Sequence, residues 1–350
     1  MNRRLHALLP PTGALAAGLA AALVANAAHV PLPWMIGPML CVAAVRMLGV
    51  RITAPRGGRQ AGQWIIGTAL GLYFTPSVVV HLGAIAGLLV AGALFAIALG
   101  YVCGFALEAL AGTDRVTALF ASVPGGAAEM TVLGERHGAR ADQVAAAQSL
   151  RILIVVVTIP SIYAALHLHG ADPFILSASE ERAPVLVALL AATLVGGFAM
   201  QRIRAPNAFV LGALAVAIPL TALDVTASAF PRWLLNLAQL LLGCALGSRF
   251  NRSFLHRAPR FVGSVVATVV LAMVLSALFG VALARFTGLR PATLVLATAP
   301  GGVAEMAVTA KVLELGVPVV TAFHVTRIVL LLLCTGPLFG WLSHLGDRSR

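Results

Sequence analysis

Apolar runs of roughly 17 to 30 residues recur from one end of the 350-residue chain to the other, each long enough for a helix to cross a hydrocarbon layer of about 30 Å. At that depth no water is present to bond the backbone, so the chain is restricted to structures that pair their own N–H and C=O groups. With 60% hydrophobic and only 10% charged residues, and a mean hydropathy of +0.96, the sequence carries more apolar surface than a soluble core requires. It reads as an all-α polytopic membrane protein.

The formal charge of +12 does not point to nucleic acid, because the arginines stand singly or in small groups between apolar runs, as in cytoplasmic loops facing anionic lipid. The longest polar stretch, 169–183, is too short for a DNA-binding domain, so no direct nucleic-acid partner is expected. Cys41, Cys103, Cys244 and Cys334 lie far apart within apolar runs and form no CxxC pair, which suits small core residues. His167 and His169, the one close histidine pair, would face different sides of a helix, and no metal or redox cluster is expected. Arg3 and Arg4, an apolar run and Ala25-Asn26-Ala27 imitate a signal peptide. An uncleaved first helix is preferred, since the run has a counterpart in mid-chain.

Sliding the chain along itself by 176 positions (300 − 124) lays PGGAAEM at Pro124–Met130 on PGGVAEM at Pro300–Met306, and Arg151 on Arg327. The same shift lays GQWIIGTALGLYF on AQLLLGCALGSRF, so that Gln63 meets Gln239, and Gly67 and Gly71 meet Gly243 and Gly247. A shift of 175 pairs Pro31 with Pro206 and Gly37 with Gly212. Two membrane repeats follow, 1–168 and 184–350, joined by a periplasmic linker over 169–183. Their six apolar segments lie near 12–30, 33–50, 60–76, 81–111, 114–134 and 142–168, and near 184–203, 206–222, 233–250, 258–286, 291–313 and 317–345. The fifth of each carries Pro-Gly-Gly, poor material for a continuous helix.

Arginine placement predicts how that fifth segment behaves. The loop after the second segment holds Arg46, Arg51, Arg56 and Arg59, whereas its counterpart holds Asp224 and Arg232. The loop after the third segment is free of Lys and Arg, whereas its counterpart holds Arg249, Arg252, Arg257 and Arg260. The positive side has switched, as it would if each fifth segment were re-entrant, leaving five transmembrane helices per copy in inverted orientation. With both termini cytoplasmic, the positive-inside rule is then obeyed in every loop but one. Arg285 and Arg290 fall outside, opposite Glu108 and Asp114 of the first copy.

Inverted repeats with interrupted segments at matching positions mark many secondary transporters, whose sites form near the midplane where broken helices meet. Gly125, Gly126, Gly301 and Gly302 either present helix N-terminal N–H groups to an anion or merely permit a tight turn. Gly126 and Gly302 are expected at positive φ or against a bound group. Glu129 and Glu305, in the first turn of the next half-helix, either cap it or couple transport to H+ or Na+. Arg151 and Arg327 lie too deep for easy snorkelling and need partners: Glu129 and Glu305 respectively, or the anionic group of a solute. Gln63 and Gln239 either bind an ion or solute or bond a neighbouring helix, beside glycines suited to close crossing. His324, aligned with Gln148, is a further candidate.

Both PGG-x-AEM phrases, both GxALG segments and both deep arginines resemble the duplicated membrane AbrB family over nearly the whole chain. Labels attached to that family imply gene regulation or ammonia monooxygenation. The sequence offers neither a DNA-reading module nor a metal or redox cluster, so no enzyme is expected. Five spans plus a Gly-rich interrupted segment per half is also similar, more distantly, to sodium- or proton-coupled carboxylate and bile-acid transporters. The expectation is an inner-membrane secondary transporter or exporter of a small, anionic organic solute by alternating access. The alternative is a membrane sensor acting on gene expression through a partner.

Overall fold

The computed structural model describes residues 2–170, 182–223, 229–250 and 259–346, and every regular element among them is a helix. The first half runs α1 (Asn2–Ala27), α2 (Pro33–Met47), α3 (Gly58–Gly71), α4 (Pro76–Ala84), α5 (Ala86–Ala111), α6 (Arg115–Ser122), α7 (Ala127–Arg136) and α8 (Ala141–Ala165). The second runs α9 (Ala183–Arg202), α10 (Ala208–Ala222), α11 (Arg232–Gly247), α12 (Pro259–Thr287), α13 (Pro291–Thr298), α14 (Val303–Val312) and α15 (Val317–Gly346). Most of the expected linker lies outside the described residues, as do Asp224, Arg252, Arg257, Arg348 and Arg350.

Among the described residues α5, α8, α9 and α12 are each long and apolar enough to cross a membrane, and α3 with α4 makes a fifth candidate if that pair, bent by 90°, counts as one span. The 15 residues of α2 rise only about 22 Å at 1.5 Å per residue, and α10 and α11 are similarly short. Ten full crossings therefore depend on these three, and on the apolar stretches Pro11–Ala27 of α1 and Val317–Leu331 of α15, spanning as well. The bend after α3 was not anticipated: the third run was expected to continue to 76 and the fourth to begin at 81. Thr75 is extended (φ −63, ψ 165) and Pro76 opens a new helix at N1, where its missing N–H costs nothing.

Each fifth segment is broken at its PGG phrase, as expected. The first becomes α6 and α7, the second α13 and α14. Asp114 starts α6 by accepting from Thr117 N at 2.8 Å, a side-chain N-cap. Pro291 at N1 starts α13.

Packing sorts the helices into two groups, each with members from both halves. One contains α1, α2, α3, α9, α10 and α11; the other contains α5, α6, α7, α8, α12, α13, α14 and α15, and contacts are dense within each group and sparse between them. The GxALG glycines make the first group tight. A Cβ at Gly67 would lie 2.9 Å from Ala213 Cβ and one at Gly71 would run into Ala217 on α10, while Cβ atoms at Gly243 and Gly247 would each come within 2.5 Å of a carbonyl of α2, Met35 O and Met39 O. Side chains this small let helix backbones approach closely. The groups meet where α3 and α4 touch α14 and α15.

Candidate functional site

The seven-residue phrase forms the same closed unit twice. Gly126 and Gly302 are the N-cap residues of α7 and α14, at φ −65 and φ −82, so of the two reasons expected for glycine there, positive φ is ruled out. A side chain of the same phrase folds back over each glycine instead. A Cβ on Gly126 would collide with Glu129 Oε2 and one on Gly302 with Glu305 Oε2. A Cβ on Gly125 would stand 2.7 Å from Met130 Cγ, and one on Gly301 2.6 Å from Met306 Cγ. In each phrase the Met folds over the first glycine and the Glu over the second. The carboxylates lie near positive helix ends, where the dipole favours them, yet neither N-cap receives a side-chain hydrogen bond.

The deep arginines hold the other side of each break. Arg151 Nη1 donates to Val123 O at 3.1 Å and Ser122 O at 3.4 Å, and Nη2 to Gly125 O at 3.5 Å. Arg327 donates from Nη1 to Ala299 O at 3.0 Å and from Nη2 to Gly301 O at 2.5 Å. A helix ends with carbonyls that no later turn can bond, and α6 and α13 end inside the protein, where such carbonyls are costly. The guanidiniums satisfy them. This corrects the proposed ion pairs: Arg151 and Glu129 form no salt bridge, nor do Arg327 and Glu305, whereas Arg115–Glu108 and Arg140–Asp114 do. Pairing a deep cation with helix-end carbonyls avoids desolvating a second full charge.

Gln148 shares the task in the first half, donating from Nε2 to Phe120 O at 2.8 Å and Val123 O at 3.0 Å. His324, its counterpart, is fully buried; its Nδ1 donates to Val320 O at 3.1 Å, and its Nε2 has no hydrogen-bond partner. It does not line the cavity described next.

One cavity, about 540 Å³ counted out to its open mouth, lies between the two helix groups and brings most of the sequence candidates together. Gly125, Gly126, Gly301, Gly302, Glu305, Arg151 and Arg327 line it from the tip-bearing group. Gln63 of α3, Asn207 and Val210 at the start of α10, and Leu246 and Arg249 at the end of α11 line it from the other. Glu129 is absent from this lining and sits in an adjoining space with Gln60, Gln63, Arg59, Gln201 and Asn207. Gln239 is buried on α11 without lining either space.

Three contributors were missed in the sequence: Arg59, Asn207 and Arg249. Asn207 precedes α10 at φ 46, a left-handed position asparagine tolerates. Its Oδ1 accepts from Gln63 Nε2 at 3.1 Å and Arg59 Nη2 at 3.2 Å. Its counterpart in the first copy is Leu32, also left-handed at φ 51 and only 1% exposed. Only the comparison of Pro31-Leu32 with Pro206-Asn207 carried that signal. Arg59 and Arg249 had been assigned to loops. Burial pushes the Arg249 guanidinium down to about 10, Arg59 acts in the same direction, and Glu305 and Glu129 oppose it. Among the described residues no three His, Cys, Asp or Glu side chains gather as a metal site.

Comparison with known proteins matches residues 34–343 to the family model described as "Transition state regulatory protein AbrB". The chain is 30% identical over 374 residues to "Uncharacterized protein YhjN" of Bacillus subtilis (strain 168), covering 96% of this chain and 94% of that protein. It is 26% identical over 314 residues to "Putative regulator AbrB" of Escherichia coli (strain K12), covering 89% and 90% respectively. No solved structure gives a significant match. A match along nearly the whole length, on a helical membrane scaffold, places this chain in the AbrB family.

Proposed function

We propose that this protein is a secondary transporter of a small organic anion, in a bacterial inner membrane with both termini cytoplasmic. The observation that carries the reading is the single cavity lined by both PGG tips and both deep arginines, placed between two helix groups that touch each other sparingly. Broken-helix tips around a midplane site suit a solute that must be bound without a bulk-water path.

In this reading the repeats are inverted, and the short helices α2, α10 and α11 span together with the longer ones. The moving units are the tip-bearing group and the other helix group, each of which mixes both halves. Access is unequal in a way that fits one side of a transport cycle. Gln60 and Gln201 near the start of α3 and the end of α9 are exposed at the mouth. On the opposite side Leu32, Leu235 and Gln239, related to Asn207, Arg59 and Gln63 by the repeat, are all buried. The arginine-rich ends lie at the open mouth, which makes this the inward-open form. Glu129 and Glu305 are the candidates for coupling to H+ or Na+.

A second reading, small-molecule sensing relayed through a partner, draws on the word "regulator" in the name of the Escherichia coli relative. The two separate experimentally. Purified protein is screened for thermal stabilisation by organic acids, amino acids and sugars, and each stabilising solute is tested for counterflow in proteoliposomes. Transport predicts flux of at least one hit. Stabilising solutes that never cross would refute it in favour of sensing.

A further inference from the structure

We propose that the central cavity receives the carboxylate of a small organic monoacid with an aliphatic body, and that Arg249, with the N–H ends of α7 and α14, is the receptor for it. This rests on the transport reading above and adds the ligand class and the residue that selects it.

The other guanidiniums at the cavity are committed. Arg59 donates to Asn207, and Arg151 and Arg327 donate to helix-end carbonyls. Arg249 also lines the cavity, yet among the described residues it makes neither a hydrogen bond nor an ion pair. A half-buried guanidinium with five N–H donors and no acceptor is poised for a ligand that brings one.

Two independent features aim at the same place. The N–H groups that open α7 and α14 have no side-chain cap, and the first N–H of each phrase to find a helical acceptor is that of Met130 or Met306. Uncapped helix N-termini attract anions. Arg151 and Arg327, each 5% exposed, line this cavity and keep an Nε without any partner. Buried donors without partners are uncommon in finished structures.

Charge and shape narrow the class. Four arginines and one carboxylate, Glu305, line the cavity, so one negative charge is welcome. Three of those arginines already donate to protein acceptors, so a second anionic group would find no uncommitted guanidinium and would be repelled by Glu305, which disfavours phosphate and dicarboxylates. The remaining wall includes Ile152, Val210, Leu246, Val303 and Ile328, aliphatic surface suited to an alkyl body.

The test titrates purified full-length protein with butyrate, hexanoate, succinate, inorganic phosphate and hexanamide, following thermal unfolding, for wild type, Arg249→Gln, Arg249→Lys and, as a charge control, the exposed Arg136→Gln. Because Arg249 makes no hydrogen bond or ion pair among the described residues, Arg249→Gln should unfold at the wild-type temperature without solute. Expected is stabilisation of wild type by butyrate or hexanoate but not hexanamide. Arg249→Gln should weaken it at least tenfold, Arg249→Lys should do so less, and Arg136→Gln should leave it unchanged. Equal titration of wild type and Arg249→Gln overturns the receptor assignment while leaving transport intact. Stabilisation by phosphate or succinate alone overturns the ligand class. No shift in wild type with either monocarboxylate overturns the whole proposal, and transport then stands or falls on its own counterflow measurement.

Discussion

Replacing Arg151 by Met, alone and together with Glu129→Gln, separates two accounts of a buried guanidinium. If Arg151 serves helix-end carbonyls, its loss removes one well-formed bond at 3.1 Å and two longer ones at 3.4 and 3.5 Å. A hydrogen bond from a charged donor contributes about 1.5–3 kcal/mol. Gln148 keeps its own bond to Val123 O at 3.0 Å, so that carbonyl is not left bare, and Met needs no desolvation of charge. These offsets place the expected loss near the lower end, about 2 kcal/mol. Glu129 makes no side-chain hydrogen bond or ion pair with Arg151, so Glu129→Gln should change stability by less than about 0.5 kcal/mol. The double variant should be additive to within about 0.5 kcal/mol. Reversible unfolding in mixed micelles, followed by helical circular dichroism, measures all four corners of the cycle. A coupling above about 1.5 kcal/mol would restore the ion pair, and an Arg151→Met protein as stable as wild type would refute carbonyl capping.

Gly126→Ala should displace the Glu129 carboxylate it collides with, lowering the unfolding temperature. In a Glu129→Ala background the same change should be nearly silent, and an equal penalty in both backgrounds would show the backbone itself to be the obstacle. Gly71→Leu should overpack the α3–α10 crossing, where even a Cβ meets Ala217, and cost about 1–3 kcal/mol. Gly83→Ala on α4, with open space around it, should be neutral or stabilising by up to about 1 kcal/mol; the reverse order of the two would count against the seam. In a cysteine-free background, Gln63→Cys should react with a small thiol reagent applied from the cytoplasmic side and Gln239→Cys should not, as only the former lines the cavity. Equal labelling would remove the case for an inward-open form.

Much of this site was legible because a breaker phrase inside apolar sequence leaves few structural choices. PGG-x-AEM at equal spacing from a deep arginine in both copies identified the interrupted segments, and the structure lays both on one cavity. The partners of the arginines were not legible. Sequence shows that a charge needs compensation but cannot show that the break itself supplies it as exposed carbonyls. The same limit hid the role of glycine, which serves a side chain four atoms long folding back on it and not an unusual φ. Asn207, Arg59 and Arg249 escaped because none has an identical residue in the other copy, and the repeat drew attention only to what was duplicated. The short α4 escaped because Val78, Val79 and Val80 look the same in a spanning helix and in one turned by 90°.

The glycine seams of the first helix group join α3 to α10 and α2 to α11, and each seam crosses from one half of the chain to the other. On the ribosome, α2 is therefore finished about 200 residues before α11 exists to receive it in its glycine notches. At roughly 5–20 residues per second that interval lasts about 10–40 s, during which α2 sits in lipid or against an insertase with its mating face bare. Biogenesis of this fold is thus a matter of delayed closure. The early helices must tolerate waiting, and the last third of the chain completes a joint prepared by the first.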